Sequence, residues 1–312
     1  MIGIIGAMTI EVDELRRQLS GALDEYISGM TFSTGTLCGV PVVVAQSGVG
    51  KVAAAVCTQT MIRHFRVDAI INTGVAATLT DFLGIGDVAI ADDVVQHDVD
   101  TTVFGSPPGH LSDLGEAYMP TDTVLTALMS DEAQKLGVRQ AVGTIASGDQ
   151  FLADKQRKDW IHKTFGAIAG EMEAGSIGQV CRLNRIPFAV IRVISDGAGG
   201  SPTEEYDAFV GQAAARSGQL VIATLERLKA SGSYLCDNGR EFFGGVRWCR
   251  EDIENALEVC EVTPTSAAVS AVTQFCKSSH FVERMVERGW DEMYDFIYSH
   301  QREWKEASGD ED

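Results

Sequence analysis

The sequence predicts an α/β protein with a mostly parallel or mixed sheet. Three observations predict it: short β-branched runs, helical stretches that alternate with them, and polar residues standing directly after the runs. Met1–Gly6 reads as a fully apolar strand, and Thr9–Leu19 then switches to helical spacing with Ile10, Leu15 and Leu19 on one side. Further strand candidates are Val42–Ala45, Asp68–Thr73, Val88–Ala91, Ala141–Ala146 and Phe188–Ile194. Helical stretches fall near Val52–Phe65, Thr123–Leu136, Met172–Leu183 and Ala208–Leu228. Ligands of open α/β sheets gather beyond the carboxyl ends of the strands. Glu11, Ser47, Thr73, Ser147 to Asp149 and the Ser195-Asp196 pair stand there.

The small, polar Lys229-Ala-Ser-Gly-Ser233 has the texture of a linker, which predicts one domain over residues 1–230 and a second, small and mainly helical, over 236–312. The second shows no apolar strand run; its helix candidates are Arg250–Val259, Ser266–Cys276 and Phe281–His300, followed by a frayed Ser308–Asp312 tail. Its aromatic residues suit a packed core, with partner binding as the other reading, and no target can be named.

Across 312 residues, 45% are hydrophobic and 22% charged, as in an ordinary globular protein. A net charge of −19 repels polyanions and offers no basic footprint, so nucleic acid is excluded as a partner. The N-terminus lacks the pattern of a secretory signal and no apolar run approaches the ~20 residues of a membrane helix. The expectation is a cytoplasmic protein with no membrane span. Seven cysteines without a CxxC pair point to reduced thiols. The spacings of Cys236, Cys249, Cys260, Cys276 and His280 match no zinc-finger pattern, so no metal is expected.

Four segments stand out together: Gly3-Ile-Ile-Gly-Ala-Met-Thr-Ile-Glu11, Ser47-Gly-Val-Gly-Lys-Val-Ala53, Gly170-Glu-Met-Glu-Ala174 and Arg192-Val-Ile-Ser-Asp196. Each alone is weak. As an ordered set, extended by Ile71-Asn-Thr-Gly74, His97-Asp98 with Phe104-Gly105, and Ser147-Gly-Asp-Gln-Phe151, they resemble the 5′-methylthioadenosine/S-adenosylhomocysteine nucleosidases of the purine nucleoside phosphorylase superfamily. The resemblance spans about residues 1–228 and leaves the C-terminal segment unexplained. It implies a three-layer α/β/α fold with a mixed central sheet, hydrolytic release of adenine without cofactor or metal, and a homodimer whose partner helps close the pocket through the segment around Phe104.

Splitting adenine from ribose needs an acid for the purine, at N7 in this family, and a base for the attacking water. The resemblance assigns the acid to Asp196, oriented by Ser195, and the base to Glu11, with Arg192 helping to hold water and carboxylates. Taken singly these residues have plainer readings: Glu11 as an acid in a first helical turn, Asp196 as a turn or cap, Arg192 as a sheet-edge ion pair. By the same resemblance Glu173 accepts the two ribose hydroxyls and Met172 lies against the sugar, although methionine also fills cores. Phe151 stacks on adenine, with the main chain of Phe151 and Leu152 at its edge. Tyr206, where the family usually has Phe, lies near the 5′ group; a lid or surface aromatic is the plainer reading. Glu171 is near the site without an assigned role.

Ser47-Gly-Val-Gly50 before a helix is a candidate anion cradle, and in the nucleosidases Val49 crowds the place where the phosphorylases meet phosphate. One departure matters. Where the family commonly reads Asn-Thr-Gly-Ser-Ala-Gly-Gly, this chain has Asn72-Thr-Gly-Val-Ala-Ala-Thr78, so Val75 removes a hydroxyl that would position water. Asp149-Gln150 and Gly197 to Gly200 also imply altered loop detail. Two alternatives therefore stand beside the nucleosidase: a phosphate-dependent purine nucleoside phosphorylase, and a non-catalytic nucleoside-binding regulatory module.

Overall fold

The computed structural model describes residues 1–197, 202–231, 235–236, 240–241, 250–260, 262–265, 268–272 and 297. Its backbone contacts divide the chain into Met1–Ser233 and Tyr234–Asp312.

The first unit is organised by a mixed sheet. Strand β1 (Ile2–Gly6) pairs in parallel with β4 (Val40–Gln46) on one side and β5 (Ala69–Thr78) on the other. Beyond β5 the sheet closes into a ring: β5 pairs with β10 (Phe188–Asp196), β10 with β6 (Val88–Gln96), β6 with β8 (Gln140–Ser147), β8 with β9 (Ala169–Glu171), and β9 with β5 again. The closure is mixed in direction, because β10–β6 and β5–β9 run antiparallel. Every residue of β1 and β10 is buried, which is why β1 reads as an unbroken apolar run and β10 as one interrupted only by Arg192 before its polar Ser195-Asp196 end, rather than as alternating strands.

Helices cover both faces. On one lie α1 (Thr9–Arg17), α3 (Thr123–Lys135) and α6 (Pro202–Ser231), whose Leu15, Met129 and Leu220 share a core with Ile2 and Ile4 of β1. On the other lie α2 (Lys51–Arg63) and α5 (Ala174–Asn184), whose Met61 and Ile177 share a core with Ile5. Successive strand side chains face opposite layers, so β1 feeds both. Gly3 lets α2 approach, since a Cβ there would stand 2.8 Å from Met61 Sδ. Helix α4 (Lys155–Phe165) sets Ile161 and Phe165 against Val95 and Ala146.

Elements outside the expected pattern extend the sheet. Strands β2 (Ser20–Ile27) and β3 (Met30–Leu37) add an antiparallel meander to β4, and β7 (Tyr118–Pro120) pairs with β6. The two meander turns are the two-residue loops Ser28-Gly29 and Cys38-Gly39, with φ of 51° and 79°, and 52° and 75°. Positive φ at both central residues matches the twist of a hairpin, which favours glycine at the second.

In the second unit, Leu235–Cys236 and Arg240–Glu241 form a short antiparallel pair, a strand element the sequence pattern did not mark. Helix α7 spans Arg250–Val259 and buries Ile253, Ala256 and Leu257. Of the segment Ser266–Cys276, residues 268–272 are helical. Apart from Ile297, the segment Phe281–His300 lies outside the described residues, as does the Ser308–Asp312 tail.

Candidate active site

A cavity of about 700 Å³, counted with its mouth, opens where the ends of β1, β5, β9 and β10 meet the segment after β8 and the first turns of α6. Glu11, Val49, Phe151, Leu152, Glu171 and Met172 border it, as do Glu173, Ser195, Asp196 and Tyr206. Apart from Gln150, the remaining wall is apolar, from residues such as Val75 and Ala76.

Glu11 is the third residue of α1, and its carboxylate turns back over the helix start. Oε2 accepts the Ala7 and Met8 amides at 2.7 and 2.9 Å, and Oε1 accepts the Val75 amide at 3.1 Å. This side chain both caps the helix start and borders the cavity. Burial pushes its pKa above the usual carboxylate range, while Arg192 and the three amides pull it back. Gly74 makes room: its φ is 154°, and a Cβ would lie 2.4 Å from Glu11 Oε1. The Val75 amide still serves the carboxylate, so the substitution that removes a side-chain hydroxyl leaves this main-chain donor intact.

Glu171 ends β9 and caps α5. Its Oε2 accepts the Glu173 and Ala174 amides, both at 2.9 Å, and Arg192 Nη2 at 2.6 Å, while Oε1 accepts the Ser147 hydroxyl. Arg192 is itself buried behind the cavity wall and donates to Asn72 Oδ1 at 2.5 Å as well as to Glu171. Its charge thus clamps β10, β5 and β9 together, and it reaches Glu11 through the field rather than by contact. Glu173 projects next to this pair and accepts the Gly50 amide at 2.8 Å. Burial and the neighbouring Glu171 push its pKa up to about 8, against the pull of Arg192.

Asp196 ends β10 beside a bulge. The register with β5 slips between Ile194 and Asp196, so Ser195 is the extra residue. A regular strand would send consecutive side chains to opposite faces; the bulge lets Ser195 and Asp196 both border the cavity. Ser195 Oγ donates to Asp196 Oδ1 at 3.0 Å, and Lys158 Nζ, from α4, donates to Oδ2 at 3.1 Å. Burial raises the Asp196 pKa, with Lys158 and then Ser195 opposing it and Glu205 adding to it.

Aromatic groups frame the mouth. Phe151 and Tyr206 meet edge to face with ring centroids 5.7 Å apart, and the Tyr206 hydroxyl donates to Met8 Sδ at 3.0 Å. Phe151 is 45% exposed, which leaves a ring face open to a flat ligand. The glycine cradle differs from the sequence expectation. Its amides are taken by the chain itself: Gly48 N by the Ala7 carbonyl, Gly50 N by Glu173 and Lys51 N by Asp149 at 2.8 Å. Carboxylates of the protein stand where an anion would have to sit.

Ten of the twelve residues singled out in the sequence thus meet at one cavity. Arg192 supports it from behind, and Phe104, 85% exposed in the 3-10 turn Thr102–Phe104, does not border it. Of the polar residues collected after strands, Thr73 turns away from the cavity to pair with Ser217 at 2.6 Å. Sequence reasoning missed Asn72 as the second partner of Arg192, the amides around Glu11, and Lys158. The last had a signal: Lys158, Ile161 and Phe165 share one helix face, which puts a lysine on the buried side. Among the described residues no group of His, Cys, Asp or Glu is placed to hold a metal ion, and no helix is long and apolar enough to cross a membrane.

Fold and cavity together define an α/β protein with a carboxyl-bearing pocket at its strand ends, and residues 1–226 match the family model of the phosphorylase superfamily, to which the chain belongs. A 5′-methylthioadenosine/S-adenosylhomocysteine nucleosidase from Shewanella sp. (strain W3-18-1) is 40% identical over 229 residues, covering 73% of this chain and 99% of that protein. The crystal structure of the corresponding nucleosidase from Neisseria meningitidis, in complex with methylthio-immucillin-A, superposes with a TM-score of 0.70 at 34% identity, over 72% of this chain and 98% of that one. Within the superfamily, the chain is therefore a member of the 5′-methylthioadenosine/S-adenosylhomocysteine nucleosidase family. Futalosine hydrolase of Helicobacter pylori also matches, with a TM-score of 0.69 at 34% identity over 72% of this chain and 97% of that one.

Proposed function

We propose that residues 1–230 hydrolyse the N-glycosidic bond of 5′-methylthioadenosine, S-adenosylhomocysteine or a related 5′-substituted adenine nucleoside, releasing adenine. The observation that carries this reading is that two carboxyl groups, Glu11 in the first turn of α1 and Asp196 at the end of β10, border one largely apolar cavity. Asp196 passes its proton to purine N7, the bond to the anomeric carbon breaks, and water adds there as Glu11 takes its proton. Glu173 receives the ribose hydroxyls, Met172 lies against the sugar, and Phe151 stacks on the base. Specificity for the 6-amino purine comes from the main chain of Phe151 and Leu152. Tyr206 faces the 5′ group, and futalosine hydrolase among the structural neighbours is a reason to survey that group widely.

Water rather than phosphate as the nucleophile is supported by the occupied cradle. Placing a phosphate there would displace Glu173 and Asp149 from the Gly50 and Lys51 amides, at a cost in lost hydrogen bonds. A homodimer, with Phe104 of the partner subunit closing the pocket, is supported by the apolar surface that Val103, Phe104 and Val52 leave exposed at 84%, 85% and 76%.

The test is an adenine-release assay across 5′-substituted nucleosides, with and without phosphate. Free sugar formed in phosphate-free buffer is the expected result. Strict phosphate dependence would establish the phosphorylase instead, and binding without adenine release would establish the regulatory module.

A further inference from the structure

Lys158 is 3% exposed and faces inward from the first turns of α4, on the side that also carries Ile161 and Phe165. Packing alone at such a position calls for leucine or methionine, because a buried ammonium is costly unless it is paired and hydrogen-bonded. Its two recorded partners both lie at the end of β10: Asp196 Oδ2 at 3.1 Å and the Gly197 carbonyl at 2.9 Å. The helix that presents it is anchored, since the Asp154 side chain caps the Gln156 and Arg157 amides. Lys158 does not border the cavity. Whatever it does for a ligand, it does through Asp196.

We propose that Lys158 is a positioning residue for proton transfer: its buried ammonium fixes the Asp196 carboxyl at the cavity and compensates the negative charge left when the proton passes to the purine. This rests on the reading of Asp196 as the acid. The carboxyl is gripped at both oxygens, by Ser195 on Oδ1 and Lys158 on Oδ2, so it cannot rotate away from the base. As purine N7 gains the proton and the bond from N9 to the anomeric carbon breaks, Asp196 becomes a carboxylate beside an ammonium that stays charged throughout. Water bonds to the anomeric carbon and loses a proton to Glu11. Solvent then carries one proton from Glu11 back to Asp196, which closes the cycle.

Among the described residues, the charged and titratable groups that act on Asp196 are Lys158 from α4 and, from α6, Glu205, which accepts the Gly197 amide at 2.7 Å, and Tyr206. Burial and Glu205 favour the protonated carboxyl, and Lys158 is the largest influence the other way. The lysine therefore makes a retained proton one that can be given up.

The test compares wild type with Lys158→Met, which keeps length and removes charge. Activity is read as kcat and as the pH profile of kcat/KM. On the plateau kcat falls at least about tenfold, and the alkaline limb moves up by about 1–3 pH units, because Asp196 holds its proton longer without its cation. Lys158→Arg keeps the limb near its original place. A folded Lys158→Met whose limb has not moved overturns the proposal, whatever its rate, since a purely structural role lowers rate without moving the limb. Should Lys158→Met fail to fold, Lys158→Ala with added ethylammonium replaces it; recovery of rate without return of the limb counts against the idea. A second readout is independent of turnover. Carbon-13 titration of the Asp196 carboxyl, assigned by its loss in Asp196→Asn, moves upward in Lys158→Met, and an unchanged titration overturns the proposal. If wild type itself releases no adenine, the functional reading fails while this titration still judges the lysine.

Discussion

Glu11 and Asp196 border the same cavity and are held there by unlike means. Three main-chain amides fix Glu11, and its one strong charged neighbour, Arg192, acts from a distance because its guanidinium is spent on Glu171 and Asn72. Asp196 is fixed by side chains, a hydroxyl and an ammonium. Amides are dipoles that cannot titrate or swing away, so they suit a group that must stay ionised until the moment it accepts a proton. A carboxyl that must hold a proton and then surrender it needs burial to retain it and a nearby cation to accommodate what remains. Under the proposed mechanism the difference lets one residue class take opposite tasks through its supports, and it predicts that the two groups fail differently.

The largest effect should follow from neutralising either carboxyl. Asp196→Asn and Glu11→Gln should each lower kcat by about 10²–10⁴-fold, since each amide keeps shape and loses the proton chemistry, while its NH2 meets one of the donors that the carboxyl accepted and costs some stability without unfolding the domain. Adenine release followed by chromatography, beside circular dichroism of the same samples, checks both. Turnover within a factor of a few of wild type in either variant would remove that group from the mechanism.

A smaller effect isolates the base. Gly74→Ala places a methyl against Glu11 Oε1 at a backbone position that L residues rarely adopt, and it leaves Asp196 and Lys158 untouched. Displacing the carboxylate by a fraction of an ångström to one ångström should cost about 10²-fold in kcat. The alkaline limb of kcat/KM should stay where wild type has it, whereas Lys158→Met moves that limb. A shared shift in both variants would mean that the two sides of the cavity are not separately supported.

What could be read in advance follows the same division. Strands β1, β4, β5, β6 and β10 were legible because burial of most of their residues on both faces writes them as largely apolar runs. Strand β8 was legible by the apolar residues of Ala141–Ala146 although Val142 is exposed, and the carboxyls following β1 and ending β10 were legible as polar residues without a packing reason. Strand β2 was not, because Ser20 to Tyr26 are all exposed and nothing constrains their pattern. Only the Ser28-Gly29 and Cys38-Gly39 pairs marked that meander. Helix α4 was hidden by Lys155-Gln-Arg-Lys-Asp159, which looks solvated until Lys158 is seen to share a face with Ile161. Its partner lies 38 residues onward on another element, and no local spacing rule reaches that far. The role of Arg192 was half legible: the charge inside an otherwise apolar strand was plain, but its choice of Glu171 over a ligand is decided by the capping of α5.

Glu173 gives the smallest and most diagnostic effect, because it resembles neither Glu11 nor Asp196. It has one amide and sits beside a second carboxylate, so without ligand its pKa stands at about 8 rather than 4.5. A raised folded pKa means that the native state binds the proton more tightly than the unfolded chain. Its contribution to stability is then full below about pH 4.5, declines as pH rises, and is gone above about 8. Glu173→Gln carries no titrating proton, so its unfolding midpoint should fall less steeply than that of wild type between pH 5 and 8. Thermal melts at four pH values across that window check this, and parallel slopes would show that Glu173 is ionised in the free protein. Ligand should reverse the sign. Two ribose hydroxyls donating to Glu173 favour its ionised form, so nucleoside binding at pH 7 should release a proton in wild type and none from this site in Glu173→Gln. Calorimetry in buffers of different ionisation enthalpy measures that proton directly. A release of equal size in both proteins would assign it to Asp196 or Glu11 and leave the sugar to be held by other groups.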